Sequence, residues 1–236
     1  MSAPPPPETA RHFYRPEDGH GLAHSPFTSI VAPRPIGWIS TRGADGVLNL
    51  APYSFFNAFN YMPPLVGFSS VGRKDSAKNA EDTGEFCWNL VSEDLAEAMN
   101  LTSAEVGPEV DEFALAGLQP ADSTVVSVPY VAQSPVVFEC RTSQVVALTD
   151  AAGGPTPALM VLGEVVGVHI AQELLVDGVF STELARPLSR GGGPTAYLHA
   201  APGEPPGPAP ASGVGGAEAR ESAGRSLVTV VCAIPC

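Results

Sequence analysis

Proline placement rules out long helices across the first quarter of this 236-residue chain. Pro33 and Pro35 bracket a single arginine in VAPRPIGWIST (31–41), and Pro52 interrupts NLAPYSFFN (49–57). A proline inside a helix removes a hydrogen bond and clashes with the preceding turn, at a cost of about 3 kcal/mol. Between these prolines lies TRGADG (41–46), a glycine- and aspartate-rich turn. The apolar text that remains is short and reads as extended. A strand is expected from residue 27, then a proline-bounded turn, a second strand ending at 41, and a bent strand over 49–57.

The same style of text continues downstream. PLVGFSSV (64–71) and EFCWNLV (85–91) read as strands, as do the valine-rich stretches 136–146 and 158–168 and a short one at 178–180. Helices are expected in three places. One opens near Lys74 with Asp75 or Ser76 as its N-cap. A second spans 92–102, about three turns, capped by Ser92, and a third spans 111–118 and ends at Gly117. Six to eight short strands with few helices predict a mainly β fold, a β-barrel or sandwich with α-helical decoration, and not a doubly wound sheet.

Composition sets the ends and excludes several functions. Residues 1–12 are proline-rich and polar, and 198–236 are dominated by Gly, Pro and Ala, so both are expected to be disordered flanks of one domain over 13–197. The apolar ending LVTVVCAIPC has no assigned role. With 12 Lys and Arg against 25 Asp and Glu the net charge is −13, which repels nucleic-acid backbones. No window reaches the roughly 20 apolar residues of a membrane span, and residues 1–9 lack the basic and apolar regions of a secretory signal. A cytoplasmic location is expected. Cys87 and Cys140 sit in apolar strand text and read as buried reduced thiols. His20 and His24 are flanked by glycines, Cys232 and Cys236 have no nearby histidine, and no metal site is expected. His169, at strand spacing, reads as a satisfied half-buried histidine. Asp111 and Glu112 are adjacent and diverge on a helix, so they do not form an acid–base pair. GxSxG, HExxH and GxGxxG are absent, which leaves no sequence case for a hydrolase, zinc protease or Rossmann dehydrogenase.

Three segments could carry chemistry, and each also has a purely structural reading. In NLAPYSFFN, Pro52 bends the strand and frees backbone polar groups, and Tyr53, Ser54 and two phenylalanines add hydroxyls and flat apolar area. That combination suits a flat heterocycle, or an ordinary aromatic core strand. In SSVGRKDSAKN (69–79), Ser69, Arg73, Lys74 and Ser76 precede or open a helix, whose free N–H groups suit a phosphate, or merely water. In 31–41, Arg34 is held between two prolines and could face a ligand anion or a surface carboxylate.

These segments occur in order with others: TGEFCWNLV (83–91), DEFALAGL (111–118), VPYVAQSPVVFEC (128–140) and LGEVVGVHI (162–170). Together they resemble the flavin reductase-like family, in particular its flavoredoxin-like branch, over roughly 13–197. The resemblance implies an FMN-binding split β-barrel, a homodimer with non-covalent FMN near the subunit interface. Ala51, Pro52, Tyr53 and Ser54 would line the isoalloxazine and ribityl chain. Ser69, Lys74, Asp75 and Ser76 would surround the phosphate, with Arg34, Ser40 and Thr41 close by. It implies an oxidoreductase in which NAD(P)H reduces the flavin, which passes electrons to a second acceptor such as a partner oxygenase. The alternative is a flavoredoxin-like electron carrier with no nicotinamide site of its own. No catalytic side chain is assigned. One departure stands out: where the family carries an Arg-Leu-Gly-Gly stretch followed by a tyrosine, this chain reads SRGGGPTAY, with Gly191 in place of leucine, which puts the roles of Arg190 and Tyr197 in question.

Overall fold

The computed structural model describes residues 10–193 and 196–199, together with the backbone of 228–231. The expectations for 1–9, 200–227 and 232–236, including Cys232 and Cys236, lie outside the described residues. The fold is mainly β and antiparallel, as expected. Its main sheet has seven strands: β1 (Gly37–Arg42), β2 (Leu48–Tyr53), β3 (Phe56–Tyr61), β4 (Pro64–Val71), β5 (Glu85–Asn89), β6 (Val136–Thr149) and β7 (Pro155–Ile170). Their order in the sheet is β2-β1-β5-β6-β7-β4-β3.

That order dictates the shape. β2 and β3 stand at opposite edges, yet only Ser54 and Phe55 separate them in the chain. Three residue steps span at most about 11 Å, so the edges must approach and the sheet curls into a barrel. No ladder joins β2 to β3, which leaves the barrel split along that seam.

Alternation along β1 assigns its two faces. Ile39 joins an interior cluster with Phe56, Val66, Phe68, Phe86, Cys140 and Val161. Trp38, its neighbour, joins an outer cluster with Leu50, Met99, Phe113, Val131 and Tyr197. A strand buried on both faces reads as a continuous apolar run, which is why GWIS carries no polar alternation. The longest hairpin, β6–β7, shifts register at Leu162 and Gly163. There the ring of Phe86 lies where a side chain on residue 163 would stand. Helix Asp75–Thr83 packs against the barrel through the small buried residues Ala77 and Ala80. It stops at Gly84, whose φ of 75° is open to glycine at little cost.

Several local expectations change. Residues 27–30 form a helical turn (Phe27–Ile30) and not a strand. Pro26 supplies a preset φ at its start, and Arg34 donates to the Thr28 and Val31 carbonyls at its end. The Asp75 helix is capped by Lys74, with no side-chain hydrogen bond, and not by Asp75 or Ser76. The expected three-turn helix at 92–102 divides into a 3-10 turn (Glu93–Leu95) and Ala96–Leu101. In the third helix Asp111 is the cap, accepting from Phe113 N at 2.8 Å, so the helix itself is Glu112–Leu115. The strands of the long hairpin run to 14 and 16 residues, longer than the short strands expected.

A second sheet orders Arg34–Pro35, Leu188–Arg190, Ala196–His199 and Val228–Val231. Its last strand corrects the expectation of a wholly unstructured tail. VTVV is β-branched throughout and pairs with the open edge of Ala196–His199.

Candidate cofactor site

The end of β2, the start of helix Asp75–Thr83 and the 102–106 loop enclose a cavity of about 270 Å³. Its wall includes Ala51, Pro52, Tyr53, Lys74, Asp75 and Ser76, six of the residues expected at a cofactor. β2 is an edge strand, so alternate backbone groups face away from β1. Leu50 N–H is one of them and donates to Glu112 at 3.1 Å. Pro52 has the same outward register and no N–H to leave unpaired, so an edge is where proline is tolerated.

Behind the wall a buried network fixes its polar groups. Ser76 Oγ donates to Asn49 Oδ1 at 2.6 Å, and Thr41 Oγ1 donates to the same oxygen at 3.2 Å. Asn49 Nδ2 donates to Glu112 Oε1 at 3.0 Å, and Asn79 Nδ2 donates to Thr41. Glu112 is buried, and burial pushes its carboxyl above the usual range against the pull of its hydrogen bonds from Leu50 and Asn49. Burial also raises the Tyr53 phenol, opposed by Ser76 and Ser70. The 102–106 loop is pinned at its base, where the buried Trp38 Nε1 donates to Thr102 Oγ1 at 2.9 Å and that hydroxyl donates to Met99 O at 2.7 Å.

The remaining expected residues lie elsewhere. Thr41 is buried behind the wall and reaches the cavity only through Asn49. Ser40 is fully buried and donates to Pro129 O at 2.8 Å, which ties β1 to the 129–131 segment. Ser54 and Ser69 are half-buried at the seam, where Ser69 N donates to Phe55 O at 2.8 Å, and neither lines the cavity. Arg34 is buried and committed to the Thr28 and Val31 carbonyls, with its guanidinium 5.9 Å from the Phe55 ring centre. Burial and the neighbouring Arg190 lower its pKa. Arg73 turns away from the cavity to Glu81 and Asp82, so Lys74 is the cation in the wall.

Sequence reasoning missed Asn49, Glu112 and the loop. Asn49 stood at the head of a segment already singled out. Glu112 was set aside because it follows Asp111, yet that adjacency positions it: Asp111 caps the helix and leaves the next carboxylate free to turn toward β2. The loop, TSAEV, carries no residue pattern that marks it. Arg190 and Tyr197 do meet, despite Gly191: Arg190 Nη1 donates to the Tyr197 hydroxyl at 2.7 Å, which donates to Asn100 Oδ1 at 2.5 Å. Cys87 and Cys140 are buried and free, and His169 is half-buried on Glu139, as expected. Among the described residues no helix is long and apolar enough to cross a membrane, and no group of His, Cys, Asp or Glu could hold a metal ion.

Known proteins share this fold. The family model of the flavin reductase like domain matches residues 31–185. An uncharacterised protein of Halalkalibacterium halodurans is 41% identical over 166 residues, covering 68% of this chain and 78% of that one. The structure of nitrilotriacetate monooxygenase component B from Bacillus cereus superposes with a TM-score of 0.72 at 31% identity, over 81% of this chain and 96% of the other. A flavin reductase structure with a split barrel domain from Shewanella frigidimarina, at 22% identity and TM-score 0.71, shares the fold over 86% of this chain and all of its own. A mainly β split barrel with a flavin-related redox role follows, and the chain belongs to the flavin reductase like domain family.

Proposed function

We propose that the cavity binds FMN and that the chain is an NAD(P)H-dependent oxidoreductase handing electrons from reduced flavin to a second acceptor. One observation carries the proposal. An edge wall (Ala51–Pro52–Tyr53) whose Pro52 carbonyl has the outward register, and the first turn of a nine-residue helix with no side-chain cap and Lys74 beside it, open into one cavity. A ring with an amide-like edge needs the first, and a phosphate monoester needs the second. The residues therefore fit the cofactor that the family implies.

In this reading Ala51, Pro52 and Tyr53 hold the ring system, and the backbone of β2 supplies directional contacts to its polar edge. Lys74 and the backbone N–H of Ser76, in the first helical turn, hold the phosphate. Glu112 and Asn49 keep the end of β2 in place. The flavin supplies the hydride and electron chemistry, while the protein binds, orients and shields it. About 270 Å³ encloses only part of such a cofactor. A second copy of the chain would cover the rest. Phe59, Tyr61 and Met62, on β3 and just past it, are 51%, 89% and 81% exposed, and Phe55 stands beside them at 40%, an apolar face suited to a homodimer. The oxygenase-component neighbour supports a partner oxygenase as the acceptor. Two buried free thiols and no membrane-length helix among the described residues accord with a cytoplasmic protein.

The test is spectroscopic. Purified protein with FMN and NADH or NADPH should consume the nicotinamide absorbance in a flavin-dependent way. Bound FMN reducible by dithionite but by neither nucleotide would refute the reductase reading. Lys74→Ala should weaken FMN binding by about 1–3 kcal/mol, the range for a lost charge-assisted hydrogen bond. Unchanged affinity in a flavin-fluorescence titration would remove Lys74 from the phosphate site.

A further inference from the structure

Charge in the cavity wall is unbalanced for an anion site. Lys74 is accompanied by Asp75, Glu105 and Glu112. Two of these acids are accounted for. Glu112 is anchored to Asn49 and Leu50, and Asp75 sits in the first turn of its helix, where a carboxylate is stabilised by the backbone dipole. Glu105 is different. It lies on the 102–106 loop, with its side chain 92% exposed, and its Oε1 stands 3.8 Å from Lys74 Nζ.

The contact lies beyond the part of the loop that hydrogen bonds fix. The base of the loop is fixed by Trp38 on Thr102 and by backbone bonds from Ser103 and Ala104 to Asn100 and Leu101. Glu105 is the next residue, beyond the last of these. The separation of 3.8 Å is too long for a hydrogen bond, and an exposed pair of this kind is weak. A phosphate monoester brings up to two charges and three acceptor oxygens to the same ammonium, and so displaces a single carboxylate.

We propose that Glu105 is an internal competitor for the flavin phosphate. It occupies Lys74 when the site is empty and must be displaced from it by the phosphate, so it selectively weakens the hold on the phosphorylated flavin. The inference rests on reading the cavity as a flavin site.

Riboflavin has the same ring and ribityl chain without the phosphate, which makes it the control. Fluorescence titrations of the full chain with FMN and with riboflavin at low ionic strength should give a finite FMN dissociation constant. Glu105→Gln should tighten FMN by about three- to tenfold and leave riboflavin unchanged within about twofold. The gain should shrink with added salt, and also as pH falls through the second phosphate ionisation near 6. Lys74→Gln should weaken FMN alone, and in that background Glu105→Gln should gain less than about twofold, because the competition has lost its object. A Glu105→Gln effect that is absent, equal for both flavins, or undiminished without Lys74 overturns the proposal. A wild-type chain that binds neither flavin overturns the flavin reading beneath it, whereas flavin binding insensitive to Glu105 leaves that reading standing.

Discussion

Glu139 offers the sharpest test of how the fold is held, because it is a fully buried carboxylate with no Lys or Arg ion pair among the described residues, bonded instead to backbone N–H groups and to His169. It accepts from Thr124 N at 2.8 Å on one oxygen, and from Val125 N at 2.6 Å and Val126 N at 2.9 Å on the other. His169 Nε2 lies 2.6 Å from the first oxygen. Burial alone would raise its pKa. The His169 contact and the three backbone donors outweigh burial and hold it below the usual carboxylate value. A depressed folded pKa means stability that is present above the unfolded value of about 4.3 and lost as pH falls through the folded one. Glu139→Gln keeps the shape and turns one acceptor into a donor. With the amide nitrogen facing Val125 and Val126, two N–H groups are orphaned at about 1–3 kcal/mol each. Because Val125 is itself part-exposed and its N–H can reach water, a total of about 3 kcal/mol is expected. In a chain of this size that lowers Tm by roughly 6–12 °C at pH 7. Thermal melts followed by circular dichroism from pH 3 to 8 would measure it, and the Tm deficit of the variant should narrow toward acid pH, where Glu139 of the wild type is itself protonated. A Tm within about 2 °C of wild type at pH 7, or a deficit that does not narrow in acid, would refute the assignment of Glu139 as the anchor of the 124–126 loop.

Two other expectations follow from buried groups. Thr102→Val leaves the buried Trp38 Nε1 without an acceptor, so denaturant unfolding should show a loss of about 1–3 kcal/mol, with weaker flavin binding as the 102–106 loop loosens. Burial pushes the Cys87 thiol up to about 12, and at pH 8 roughly one molecule in ten thousand would carry the thiolate. Peptide mapping after native alkylation should therefore find Cys87 and Cys140 unmodified, and prompt labelling of either in the folded protein would contradict their burial.

What the sequence revealed divides along physical lines. Strand text with prolines and a glycine-rich turn was legible because proline and glycine act locally, on the residues that carry them. The bend at the cavity wall was legible for the same reason: Pro52 shapes β2 wherever β2 lies. What stayed hidden was every feature that depends on which elements meet. Ser40 and Thr41 sit on β1 with side chains on opposite faces, and only the packing shows that one meets Pro129 and the other Asn49. Arg34 could face a ligand anion or a surface carboxylate, yet residues 27–30 coil into a turn, and the guanidinium takes the carbonyls of Thr28 within it and Val31 at its end. That turn could not be foreseen from FTSI, whose β-branched residues favour a strand until Pro26 and Arg34 close the two ends.

The seam explains why the site is where it is. A barrel closed by a continuous ladder would bury the polar backbone of β2 and leave it nothing to offer a ligand. Here the connection Ser54–Phe55 forces the edges together without pairing them, so no strand takes the outward groups of β2, and while Leu50 N–H goes to Glu112 the Pro52 carbonyl is left to the cavity edge. Helix Asp75–Thr83 packs into the barrel with alanines small enough to bring its first turn to that same edge. A bulkier residue at 77 or 80 would lift the helix and carry Lys74 and Ser76 away from Ala51–Tyr53. The proposed phosphate cradle and ring wall are thus coupled through the volume of two methyl groups, a constraint on the cavity that acts entirely from within the core.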